Sequence, residues 1–261
     1  MPFADVRGQR IHFQDTGGSG PAVVMSHGFL MDHRMFDPQV EALRDRYRVI
    51  TWDERGFGQT PATGPFDYWD LADDVIGLLD HLGVERAVLA GMSQGGYLSL
   101  RAALRYPDRV QALVLIDTSA DVDDPQTLDG YREMLDGWAA GAGEQIAPTV
   151  AGIILGPERY WEPWVSGWQD LDLDGLRHAG ACLLGRDEIQ GRLGEIRCPA
   201  IVFHGTEDAA ISLDRAKKMC ADLPSCDQVV EVPGAHHAAN LTHPEVVNPP
   251  LRRFLDQHAA G

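Results

Sequence analysis

The segment Gly91-Met92-Ser93-Gln94-Gly95 sets one hydroxyl between two glycines, with Gly96 beside them. The apolar run "RAVLAGM" leads into it and the helix-like run "YLSLRAALRYP" leads out. A residue on a sharp strand-to-helix turn holds a strained backbone, and its neighbours two positions away must be small to avoid collision. Such a turn would lift the Ser93 hydroxyl off a sheet and aim the next helix's N-terminus at whatever lies above. The plainer alternative is a glycine-rich turn that only packs a helix on a strand; the flanking runs favour a nucleophile. A serine hydroxyl attacks poorly until a base takes its proton. Downstream, "FHGTED" supplies Glu207 and Asp208, and "VPGAHHAANLTHPE" supplies His236 and His237. Each segment follows an apolar run and would sit past the C-terminal end of a strand, where open α/β sheets hold their sites.

The elements that must carry these groups are legible as alternating runs. "RIHFQDTG" alternates and ends in glycines, which predicts a strand and hairpin. "AVVMSHG", "YRVITWDERGFG", "VQALVLIDTS", "CPAIVFHGTED" and "CDQVVEVPGAHH" have the length and composition of buried strands. Between them lie helical patterns. In "DLADDVIGLLDHLG", Leu71, Val75, Leu78, Leu79 and Leu82 share a face and Gly83 closes the run. Strands alternating with helices predict an α/β fold, a mostly parallel sheet with helices on both faces. From about 121 to 190 no strand-like run occurs. That stretch holds Trp138, Trp161, Trp164 and Trp168 and reads as a helical insertion. Three segments follow: a core over 1–120 and 191–261, and an inserted lid over 121–190.

The chain has 261 residues and a formal net charge of −17, which argues against nucleic acid and anionic lipid as partners. No apolar run approaches the ~20 residues that span a bilayer. The start, "MPFADVRGQRIHF", carries no basic-then-apolar signal pattern. Cys182, Cys198, Cys220 and Cys226 form no C-x-x-C pair and read as reduced thiols of a cytoplasmic protein. No metal or organic cofactor is implied.

"SHGF", "WDERGFGQT", "GMSQGG", "HGTED" and "PGAHHAANLTHPE", in that order, resemble the α/β-hydrolases of the small, lid-bearing kind: cofactor-free esterases, enol-lactonases, C–C bond hydrolases and non-haem haloperoxidases. The resemblance implies the α/β-hydrolase fold, with a helical lid inserted after the sixth strand. It implies Ser93 as nucleophile, Asp208 as acid and His237 as base. His236 stands where the family usually has Gly; Glu207 and Asp117 are the rival acids. It also implies an oxyanion hole from the backbone N–H groups of Phe29 and Gln94, with His27 bracing the loop. Asp53 and Arg55 are expected to form a local brace; Glu54 is unusual there and unaccounted for. Met31, Asp32 and His33 are candidates for the pocket wall, though Asp32 also reads as a helix cap. Trp138, Trp161 and Trp164 either wall a substrate pocket or form the lid's own core. Pro249 and Pro250 predict a break or restart of the last helix near Asn248.

The resulting expectation is a serine hydrolase acting on a small or medium carboxylic ester. Lactone or enol-lactone opening and C–C bond hydrolysis are alternatives on the same groups. A small-molecule receptor with a retained triad is the alternative from another class.

Overall fold

Eight strands build one sheet in the order β1-β2-β4-β3-β5-β6-β7-β8 in this computed structural model, which describes residues 2–259. Along the chain the elements are β1 (Phe3–Val6), β2 (Gln9–Asp15), β3 (Ala22–Ser26), α1 (Asp37–Leu43), β4 (Arg48–Trp52), α2 (Tyr68–His81), β5 (Ala87–Met92) and α3 (Gln94–Arg105). Then come β6 (Val110–Ile116), α4 (Pro125–Ala139), α5 (Gly143–Ile154), α6 (Trp164–Gly167) and α7 (Leu173–Leu184). β7 (Ala200–Gly205), α8 (Leu213–Asp222), β8 (Cys226–Val232), α9 (Ala239–Thr242) and α10 (Pro244–His258) complete it.

From β4 to β8 every pairing is parallel; β2 pairs antiparallel with both β1 and β4. β3 and β5 are buried along their whole length, which is why their sequences are continuously apolar rather than alternating. β3 lies between β4 and β5, so the chain reverses its winding direction there. The C-terminal ends of β3 and β5 flank the crevice that such a reversal opens. α2 starts on a capping box: the Asp67 carboxylate accepts from the Trp69 and Asp70 N–H groups, and the Asp70 side chain accepts from the Asp67 N–H. Its buried face carries Leu71, Val75, Leu78 and Leu79, as their spacing predicts. α2 and α3 pack together, as do α1 and α10, and helices cover both faces of the sheet.

Several expectations need correction. The hairpin partner of "RIHFQ" lies upstream, as β1, a four-residue strand too short to stand out in sequence. α10 does not break near Asn248; it runs through Pro249 and Pro250. Two missing N–H groups cost helix stability, but the helix is fixed from outside. Asn248 accepts from Gln39 Nε2 at 2.8 Å and donates to the Pro38 carbonyl at 3.1 Å, while Pro250, Leu251, Phe254 and Leu255 are buried. Cys220 and Cys226 are joined in a disulfide, their Cα atoms 5.4 Å apart across the α8–β8 turn, whereas Cys182 and Cys198 are free. Asp53 and Arg55 do not pair. Asp53 accepts from His12 and His33, and Arg55 donates to Asp74.

Candidate active site

Ser93 occupies the turn between β5 and α3 with φ +49° and ψ −114°, a region L-residues rarely adopt. A Cβ at Gly91 would strike the Gly95 backbone, and one at Gly95 would strike the Ser26 carbonyl. These collisions explain the small residues that bracket the serine. The Ser93 N–H donates to the Ile116 carbonyl at 2.9 Å, and the Thr118 hydroxyl donates to the Ser93 carbonyl at 2.8 Å. The strained turn is thus pinned from β6.

His237 reaches this turn from the loop after β8. Its Nε2 lies 2.9 Å from Ser93 Oγ, and its Nδ1 lies 2.8 Å from Asp208 Oδ2. The other Asp208 oxygen accepts from the N–H groups of Ala210 at 2.8 Å and Ile211 at 3.0 Å. Burial alone would push the Asp208 carboxyl up. The charge and hydrogen bond of His237, with the Ile211 N–H, outweigh it and hold the group below the usual range. Burial likewise pushes the His237 imidazole down, but Asp208, with Asp117 behind it, brings it above the ordinary histidine value. A histidine so placed accepts a proton from one side while its tautomer is fixed from the other.

The rival residues are placed elsewhere. Glu207 is largely exposed and stands 3.4 Å from His236, so these two neighbours pair with each other at the surface. Asp117 is fully buried, with φ +45°. Its two oxygens accept from the Gly205 and Ala239 N–H groups, each at 2.8 Å. It therefore ties β7 and α9 together beneath the loops that carry Asp208 and His237.

The amides of Phe29 and Gln94 have no acceptor among the described residues. Gln94 opens α3, where helix N–H groups are left unpaired. The Gly95 N–H donates to the His27 carbonyl at 3.1 Å, which joins the 27–29 loop to the start of α3. His27 Nδ1–H donates to the Gly28 carbonyl and its Nε2 accepts from the Glu54 N–H, so the ring is neutral; burial holds its pKa down.

Ser93, His237 and Phe29 border a cavity of ≈ 320 Å³, roofed by Tyr131, Met134, Ile146, Val150 and Ile154 from α4 and α5. Its described lining contains no Asp, Glu, Lys or Arg. Trp138, Trp161 and Trp164 do not line it. Trp138 is buried edge-on against Trp168, and Trp161 donates to the Gly156 carbonyl at 2.8 Å. Trp164 and Met31 border a separate cavity of ≈ 520 Å³, away from Ser93. Trp138 and Trp168 are buried against each other, as short helices need large side chains to make a core, whereas Trp161 is half-buried. Asp32 caps the short helix that follows it, and His33 pairs with Asp53; neither faces the Ser93 cavity.

Some residues of this region carry no clear signal in sequence. Tyr131, Met134, Ile146 and Val150 are ordinary helix-face residues until the fold aims them at Ser93. His204 is fully buried, donates from Nε2 to the Ile211 carbonyl at 2.8 Å, and lies 3.3 Å from Asp208 Oδ2. Among the described residues, two His/Asp groups are close enough to suggest a metal on distance alone: His12, His33 and Asp53, and Asp117, His204 and Asp208. In the first, Asp53 accepts from both imidazoles, which leaves the ligand atoms engaged with each other. The second belongs to the hydrogen-bonded surroundings of His237.

The family model for the alpha/beta hydrolase fold matches residues 21–244. Among characterised proteins, the chain is 30% identical to the 2-(acetamidomethylene)succinate hydrolase of Mesorhizobium japonicum, covering 92% of this chain and 89% of that one. It is 27% identical to 3-oxoadipate enol-lactonase 1 of Acinetobacter baylyi, covering 92% and 90%. A solved esterase of Thermogutta terrifontis superposes with a TM-score of 0.90, at 28% identity and over 98% of both chains. The relatives and structural neighbours are hydrolases, esterases and lactonases on this one architecture. With its sheet order, its strained serine turn and a match that runs over most of its length, the chain belongs to the α/β-hydrolase family.

Proposed function

We propose that this protein is a serine hydrolase that cleaves uncharged carboxylic esters of small or medium size through an acyl-enzyme. The observation that carries the reading is the chain of contacts from Ser93 Oγ to His237 Nε2 and from His237 Nδ1 to Asp208. His237 takes the Ser93 proton as the hydroxyl attacks the ester carbonyl. The Phe29 and Gln94 N–H groups hold the oxyanion, in a site that needs no reorganisation at that moment. His237 then passes the proton to the leaving alcohol and activates the water that releases the acid. Asp208 orients the imidazole and stabilises its charged form.

The cavity supports the substrate class. Its wall is aliphatic and aromatic, and an anion buried there would find no cationic side chain among the described lining residues. The helices over residues 125–184 act as the lid that supplies the acyl pocket. Lactone opening is the second reading, favoured by the enol-lactonase relative and by the fact that a cyclic ester presents the same carbonyl. A cytoplasmic setting is proposed with it, supported by the free thiols of Cys182 and Cys198 and opposed by the Cys220–Cys226 bridge. The test is turnover of p-nitrophenyl esters of rising acyl length, with a set of neutral lactones, beside Ser93→Ala. Turnover that disappears in Ser93→Ala supports the reading; turnover that survives ends it.

A further inference from the structure

Glu54 is a fully buried carboxyl directly beneath the serine turn. It follows Asp53 on the loop after β4, and nothing in the reaction as described uses it. Its Oε2 accepts from Gln94 Nε2 at 2.7 Å. Gln94 is also fully enclosed, and its side chain points down into the protein rather than into the substrate cavity. The backbone of Glu54 makes a second link. Its N–H donates to His27 Nε2 at 2.9 Å, and His27 Nδ1–H donates to the Gly28 carbonyl at 2.8 Å. Gly28 C=O and Phe29 N–H belong to one peptide unit, so the His27 ring, together with the Met31 N–H that donates to the same oxygen at 3.0 Å, fixes the direction of the Phe29 N–H and polarises it. One residue thus reaches both amides assigned to the oxyanion: Gln94 through its side chain, and Phe29 through its backbone and His27.

We propose that Glu54 is a positioning residue that fixes the two oxyanion-binding amides relative to each other, through the Gln94 side chain on one side and His27 on the other. The inference rests on the serine-hydrolase reading above. Burial, then the nearby Asp74 and Asp53 carboxylates, push the Glu54 pKa well up. Oε2 accepts from Gln94, while Oε1 is buried with no hydrogen-bond partner among the described residues. An apolar residue of similar size would leave the Gln94 amide with no acceptor in a buried place, and the first turn of α3 would shift to find one. The oxyanion forms only in the transition state, so a displaced donor lowers kcat and leaves KM nearly unchanged.

The experiment compares Glu54→Leu, Glu54→Gln and Gln94→Met on a p-nitrophenyl ester. Rates are expressed per active site titrated with a fluorophosphonate, so that misfolded protein is not counted. Ser93→Ala runs beside them. Glu54→Leu should lose about tenfold in kcat at constant KM. Glu54→Gln, whose amide carbonyl replaces the oxygen that accepts from Gln94, should stay within about twofold of the parent, with the same pH profile. Gln94→Met keeps the backbone N–H and deletes the side-chain amide, so it should show the same kcat loss from the other end. It decides the matter where Glu54→Leu does not fold. An unchanged kcat in Glu54→Leu or in Gln94→Met overturns the proposal, as does a loss expressed in KM or a Glu54→Gln variant as impaired as Glu54→Leu. Turnover surviving in Ser93→Ala would instead remove the serine-hydrolase reading beneath it.

Discussion

His237 Nδ1 lies 2.8 Å from Asp208 Oδ2, while Asp117, at the end of the neighbouring strand, spends both its oxygens on backbone amides. Two buried carboxylates therefore stand close together with different work: one faces the imidazole and the other holds loops.

That division predicts different losses. Asp208→Asn should lower kcat by about 10³–10⁴, because an amide no longer holds the useful tautomer or stabilises the imidazolium. Asp117→Asn turns one acceptor into a donor facing an N–H group. It should destabilise the fold by about 1–3 kcal/mol and cost less in kcat per folded molecule than Asp208→Asn. Single-turnover rates and denaturant midpoints of the two variants measure this, and a larger kcat loss in Asp117→Asn would reverse the assignment.

The pH profile follows from His237. The imidazole must be neutral to take the Ser93 proton, so activity falls as pH drops through its pKa. Asp208 and Asp117 hold that pKa above the ordinary value despite burial. The acid limb of kcat/KM should therefore lie above about pH 6.5, and Asp208→Asn should move it downward. A limb below that value in the parent enzyme would contradict the electrostatic picture.

Substrate charge offers an independent check. The described lining of the Ser93 cavity has no cationic side chain. A p-nitrophenyl ester of hexanoic acid should be cleaved with a kcat/KM at least about tenfold above that of the adipic acid monoester, whose far carboxylate would be buried unpaired. Equal values would place the acyl chain outside this cavity.

Asp53 and His33 predict a stability window. Asp53 accepts from His12 Nδ1, His33 Nδ1, the His33 N–H and the Gln59 N–H, all within 2.9 Å. Burial pushes the carboxyl up, but the hydrogen bonds and charge of His33 hold it well below its usual range; burial pushes His33 down, but Asp53 raises it. A depressed acid loses its contribution as pH falls below about 4, and a raised histidine loses its own as pH climbs past about 6.5. The pair thus stabilises most between those values. Asp53→Asn should cost about 3–5 kcal/mol at pH 5.5, and the gap from the parent should narrow at pH 3 and at pH 9. A pH-independent gap, read from urea unfolding, would show that charge plays no part in it.

Much of this arrangement was legible in the residues. The serine turn announces itself because steric collision demands glycine at 91 and 95, and that demand is local. The parallel strands announce themselves because burial on both faces requires continuous apolar runs such as "AVVMS" and "AVLAGM". The resemblance points to His237 rather than His236, and in the loop's path the two neighbours go different ways: His237 faces Ser93 and Asp208, and His236 pairs with Glu207 at the surface. The tryptophans leave two readings open in sequence, because size alone does not say which way a ring faces. Trp138 is buried against Trp168 and Trp164 borders the separate cavity beside Met31, while smaller side chains of α4 and α5 meet the serine. Pro249 and Pro250 misled for a related reason: contacts from Asn248 and the buried face of α10 override a local preference. Glu54 and His204 had no readable role, because their partners are distant in the chain or act through backbone atoms.

The central claim is tested most directly by locating a covalent adduct. After treatment with a fluorophosphonate, peptide mapping by mass spectrometry should find the added mass on Ser93 alone. His236→Ala should label at the parent rate, and His237→Ala should label at least about 10³-fold more slowly. Modification of another residue, or a His237→Ala variant that labels as fast as the parent, would contradict the account.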